Sequence, residues 1–131
     1  MPMITLNLSR PLDPDTRRAV VRAVTDLTAE VLGKKRELTA LAVGHVEHWS
    51  VGAEPAGEAL TAFHLEVRVT AGTNTKPEKA NYIAAVWQAL DELVGPLHPA
   101  SYIVVTDLPA DSWGYAGETQ EVRHVRSRMV V

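Results

Sequence analysis

The second residue of the chain is a proline, and it leads into a strand-like run, Met1-Pro2-Met3-Ile4-Thr5-Leu6-Asn7-Leu8. Initiator methionine is removed efficiently before small residues, proline included, so the expected mature chain begins at Pro2. Its terminus is then a secondary amine on a rigid ring. A proline nitrogen inside a chain is an amide without useful basicity; at the terminus it is a nucleophile and a proton acceptor. To act as a base it must be neutral, which requires an apolar pocket or neighbouring cations to lower its pKa. On position alone Pro2 reads as a strand opener, so the case for chemistry rests on the rest of the chain. His45, Glu47 and His48 are a second candidate cluster. On a strand His45 and Glu47 share a face while His48 points away, so no metal centre is expected. The chain has no cysteine, which excludes thiolate nucleophiles, disulfides and cysteine-ligated metals.

The elements that must position Pro2 are legible from periodicity. Ile4, Leu6 and Leu8 alternate with Thr5, Asn7 and Ser9, the period of a half-buried strand. Asp13 then caps a helix that has Pro14 at its first position and Asp15 at the positive end of its dipole. Val20, Val24, Leu27 and Val31 recur at helical spacing, and Gly33 ends the helix, with Lys34, Lys35 and Arg36 around its negative end. Arg17, Arg18 and Arg22 cover the outer face. A second strand is expected over about Leu38 to Val46. His48-Trp49-Ser50-Val51-Gly52 leads into a small-residue linker.

The same order recurs. Phe63, Leu65, Val67 and Val69 alternate with His64, Glu66, Arg68 and Thr70 in a third strand. Ile83, Val86, Trp87, Leu90, Leu93 and Val94 mark a second helix, ended by Gly95-Pro96. Tyr102 to Thr106 is a short β-rich run that ends in a turn at Asp107 to Trp113. Trp49 and Trp113 fall at matching places, each followed five residues later by a glutamate, Glu54 and Glu118. The chain is therefore a tandem β-α-β repeat, with units near residues 2 to 57 and 60 to 121 and a C-terminal tail. Residues 1–131 form one α/β domain: a four-stranded sheet with both helices on one face. The bare face calls for oligomerisation.

Composition adds boundaries. The 131 residues suit one domain, and the net charge of −3 argues against a nucleic-acid partner. No apolar run reaches the length of a membrane span and no secretory leader is recognisable, so a cytoplasmic protein is expected. The basic tail, with Arg123, His124, Arg126 and Arg128, reads by default as a solvated surface.

The proline-led strand, the Asp-capped helix and units of about sixty residues resemble the tautomerase superfamily, built around 4-oxalocrotonate tautomerase. The stretch Tyr102-Ile103-Val104-Val105-Thr106-Asp107, followed by Ser112-Trp113-Gly114-Tyr115-Ala116-Gly117-Glu118, resembles the family's second strand and glycine-rich hairpin. A chain of this length is similar to the fused, two-unit members. The resemblance implies a cofactor-free keto–enol tautomerase of the tautomerase/MIF-like fold, assembled as a homotrimer. It makes Pro2 the catalytic base and a small carboxylate the substrate, with no cofactor and no metal.

The resemblance also implies arginines that this chain lacks at the matching places. Arg10 stands near the first but is offset by about two residues, and Tyr102 stands at the second. Arg10 or Arg68 is therefore expected to bind the carboxylate, with Arg123 and Arg126 as further sources of a cation. Tyr102 is expected to donate to a developing enolate, and Trp113 to wall the pocket. Position alone leaves Arg10 and Tyr102 open between site and surface. Because the second unit starts mid-chain at Ala62-Phe63-His64, each chain holds at most one proline site. Trp49 is expected to pack or to line the second, amine-free position. Related hydratases, dehalogenases and decarboxylases use a charged proline and an arginine pair after the third strand. Here that stretch is Gly72-Thr73-Asn74, which disfavours those reactions. A catalytically silent trimer is the reading from a different class.

Overall fold

A computed structural model describes residues 1–129 of the chain. Strand β1 (Met3–Leu8) is followed by helix α1 (Pro14–Leu32), a 3-10 turn at Arg36–Leu38 and strand β2 (Ala40–His45). A two-residue hairpin, β3 (Ser50–Val51) and β4 (Glu54–Pro55), ends the first unit. Strand β5 (Phe63–Thr70), helix α2 (Lys76–Val94), strand β6 (Tyr102–Leu108) and the hairpin β7 (Gly114–Tyr115) and β8 (Glu118–Thr119) repeat the order. Helix α3 (Gln120–Met129) closes the described chain. No helix among the described residues is long and apolar enough to cross a membrane.

The sheet order is β2-β1-β5-β6. Strands are parallel within each unit and antiparallel where the units meet, Met3 facing Arg68 and Leu6 facing Leu65. This is the expected fold: one mixed sheet with two helices on one face. Ile4, Leu6, Leu8, Phe63, Leu65, Val67 and Val69 are all at most 1% exposed beneath the helices, so alternation in β1 and β5 directs one face of the sheet into the core.

Both helices start as their capping residues dictate. Asp13 accepts the Thr16 N–H at 2.7 Å, and Thr75 and Glu78 form a reciprocal capping box. Gly33 ends α1 in the left-handed region, φ 67°, which glycine adopts without steric cost. The buried stripe of α2 departs from expectation: it runs through Tyr82, Val86, Leu90 and Val94, while Ile83 and Leu93 are exposed. Tyr82 reaches α1, where its hydroxyl shares a 2.8 Å hydrogen bond with the Thr28 hydroxyl. Burial pushes the Tyr82 phenol up to about 12, against a smaller opposing effect of that hydrogen bond.

The hairpins repeat in detail. Trp49 C=O accepts the Ala56 N–H and Trp113 C=O accepts the Gln120 N–H, each at 2.9 Å. Both turns place two consecutive residues at positive φ, Gly52-Ala53 and Ala116-Gly117, as tight two-residue hairpins require.

Candidate active site

Pro2 is buried at the mouth of β1, where its carbonyl accepts the Ala40 N–H at 3.1 Å and ties it to the start of β2. Three other segments reach this end of the sheet because the topology sends them there. The β-α-β crossover returns the chain from α1 beside the start of β1, bringing Gly33 to Leu38. Antiparallel β5 ends here, bringing Thr70 to Thr73, and β6 ends here too, leading into the second hairpin and α3. Together they enclose a cavity of about 730 Å³. Its lining includes Met1, Lys34, Lys35, Thr70, Thr73 and Arg123.

The loops of this cavity are fastened to one another. Lys34 Nζ donates to Thr73 Oγ1 at 2.9 Å, and Asn74 Nδ2 donates to the Leu32 carbonyl at 2.8 Å. Gly72-Thr73-Asn74, the stretch without arginines, thus receives a lysine from the other unit. Burial lowers the pKa of Lys34, opposed by the charges of Glu78 and Asp107.

Pro2 is buried and is not among the lining residues; Met1 is, and it carries the amine. Its pKa is lowered, first by burial and then by the charges of Lys34 and Lys35, with Glu37 acting weakly the other way. Burial and neighbouring positive charge of this kind both act against the protonated form of an amine.

The residues singled out from sequence divide between the two ends of the sheet. Arg68 faces Met3 across β1 and β5, on the sheet face away from the helices, and pairs with Glu66 at 2.7 Å. Trp113 donates its indole N–H to Thr70 Oγ1 at 3.2 Å, behind the cavity wall. Arg10 and Tyr102 sit at the other end. Arg10 donates to the Val94 carbonyl at 2.6 Å, and Tyr102 stands opposite His64 on the edge strand β6, 64% exposed. Within one protomer neither adjoins Pro2.

A second cavity, of about 570 Å³, is the repeat's counterpart and is lined by Arg10, Trp49 and the first hairpin. Phe63 stands where Pro2 stands in the first unit, fully buried, its peptide N–H donating to Ser101 Oγ at 3.1 Å. A peptide nitrogen so engaged offers no base.

Sequence reasoning missed Lys34 and Lys35, which read as charges complementing a helix end. The signal that finds them is topological: a parallel crossover must bring the segment after α1 back to the start of β1. The tail also differs from its default reading. It folds as α3, and Arg123 and His124 line the cavity.

Residues 2–59 match the model of the family described as Tautomerase enzyme. No significant match is found among curated proteins. Solved structures match over nearly the whole chain. A fused 4-OT, wild type, a symmetric trimer, is 18% identical with a TM-score of 0.82 over 92% of this chain and 98% of its own. FG41 malonate semialdehyde decarboxylase, inhibited by 3-bromopropiolate, is 21% identical with a TM-score of 0.73 over 98% of each chain. A macrophage migration inhibitory factor-like protein from Entamoeba histolytica is 17% identical with a TM-score of 0.75 over 90% of this chain and 97% of its own. At these identities the likeness is one of fold.

Proposed function

We propose that the chain is a two-unit tautomerase, a reading supported by the family match over residues 2–59 and by likeness of fold over its length, and that it is a cofactor-independent keto–enol tautomerase acting on a small carboxylated enol or keto acid. Pro2, uncovered by removal of Met1, is the general base. The enol O–H proton passes to the Pro2 nitrogen. The electron pair of the O–H bond becomes the carbonyl π bond, and the former C=C pair takes the proton back from the ring nitrogen at carbon. Lys34 and Lys35, which line the cavity, attract the carboxylate toward it by their charge. The relatives' trimeric state extends to this chain under the same reading: a homotrimer that covers the bare sheet face.

One observation carries this reading over its charged-proline alternative. The Met1 amine lies half-buried at a cavity lined by Lys34 and Lys35, and these surroundings lower its pKa; the Pro2 amine uncovered beside it would meet the same burial and the same two charges. That environment favours a neutral base; hydration, dehalogenation or decarboxylation through a charged proline would need the opposite.

The test is a pH profile of phenylenolpyruvate ketonisation, on protein shown by intact mass to begin at Pro2. Activity is expected to rise with pH, with its inflection below the ordinary range of a terminal amine. Activity that instead falls as pH rises through that range supports the charged-proline reading, and absence of turnover at any pH supports the silent one.

A further inference from the structure

We propose that Arg123, on α3, is the residue that grips the substrate carboxylate, and that Arg126 keeps it available by occupying Glu118. The proposal rests on the reading of the cavity lined by Met1, beside Pro2, as the substrate site, and it names a recognition device within that site.

Arg123 lines the cavity and is held by contacts that leave its charge incompletely matched. Its guanidinium lies 3.8 Å above the centre of the Tyr115 ring and Nη2 donates to the Tyr115 carbonyl at 3.1 Å. Stacking and hydrogen bonding fix a planar fork in one orientation, the geometry that suits a carboxylate. Yet Nε is enclosed and has no partner among the described residues. The nearest acidic group, Glu118, stands 3.4 Å from Nη2, too long for a strong charge-assisted bond. An unpartnered guanidinium nitrogen is unfavourable, and the 27% of the Arg123 side chain that stays exposed at the cavity is where a ligand carboxylate would reach the fork.

Glu118 falls short because it is taken. Arg126 grips both of its oxygens, Nη1 to Oε1 at 3.2 Å and Nη2 to Oε2 in a closer contact. Arg126 does not line this cavity. It is therefore a positioning residue: it holds the glutamate that would otherwise neutralise Arg123. The remaining lining sets Leu32 and Leu38 beside Lys34, Lys35 and Gln120, so the ligand class is a small carboxylate.

The experiment is calorimetric titration of phenylpyruvate into wild type, Arg123→Gln, Arg123→Ala, Arg126→Ala and Arg126→Ala with Glu118→Gln, each checked for fold by circular dichroism. Both Arg123 variants are expected to bind about ten- to a hundredfold more weakly; Arg123→Gln keeps a long polar stem if Arg123→Ala disturbs α3. Arg126→Ala is expected to weaken binding about two- to fivefold from outside the cavity, and adding Glu118→Gln to restore it. Wild-type affinity in Arg123→Gln, no binding by wild type, or no recovery in the double variant would overturn the proposal. Repeating the titration in a Pro2→Ala background separates the two claims, because equilibrium binding does not require the proline to turn over substrate.

Discussion

At the scale of single residues, the chemistry turns on an amine and the two lysines beside it. Pro2 is legible in the sequence because no other position can supply its functional group. Lys34 and Lys35 are not, since a lysine after a helix is explained locally by the helix dipole, and only the crossover reveals its neighbour across the cavity. Their charge contributes to the lowered pKa of the Met1 amine, and it would act in the same direction on the Pro2 amine once Met1 is removed. Replacing Lys34 with methionine should therefore raise the amine pKa and move the rising limb of the rate–pH profile to higher pH. An unmoved limb would mean that Lys34 does not act on the catalytic amine. Tyr82 gives a prediction of the opposite sign. Its phenol titrates higher in the folded protein, about 12, than the ordinary value of 10. The stabilisation linked to the neutral phenol is fully present below pH 10 and is lost as pH rises through the folded value. Chemical denaturation from pH 9 to 12 should show a steeper alkaline loss in wild type than in Tyr82→Phe. Equal slopes would contradict the burial of that hydroxyl.

Among the elements, caps and alternation made β1, α1, β5 and α2 readable, because each signal is local. Asp13-Pro14 and Thr75 through Glu78 start their helices as their side-chain chemistry requires. Thr75→Ala should lower the unfolding free energy by about 1 kcal/mol in urea titration; an unchanged midpoint would show that packing alone holds the start of α2. Two features were less readable. The inward turn of Tyr82 in place of Ile83 depends on Thr28 of α1, a partner 54 residues away that no helical period discloses. Helix α3 has no buried residue, so its sequence lacks a core-facing stripe, and charge made it look like surface. Its importance comes from where the second hairpin delivers it, over the proline end of the sheet.

On the scale of the whole molecule, the duplication explains both the symmetry of the architecture and the asymmetry of the site. Two units build two cavities, but the second unit begins mid-chain, and Phe63 fills its place with an engaged peptide nitrogen. The sheet face away from the helices carries Thr5, Asn7, Glu66 and Arg68, with Tyr102 and Val104 exposed along the edge strand β6. A face and edge of this kind suit cover by further copies of the chain. Light scattering should give a particle three times the 14.3 kDa chain, and Val104→Asp should shift it toward smaller species; a monomeric wild type would contradict the trimer. The central claim is that Pro2 is the base, and comparison of phenylenolpyruvate ketonisation by wild type and Pro2→Ala tests it most directly. Alanine at position 2 also permits removal of Met1, so the comparison isolates the ring amine. The expected result is a fall in kcat/KM of about tenfold to a hundredfold, expressed mainly in kcat. Equal rates in the two proteins, both shown by mass to lack Met1, would contradict the account.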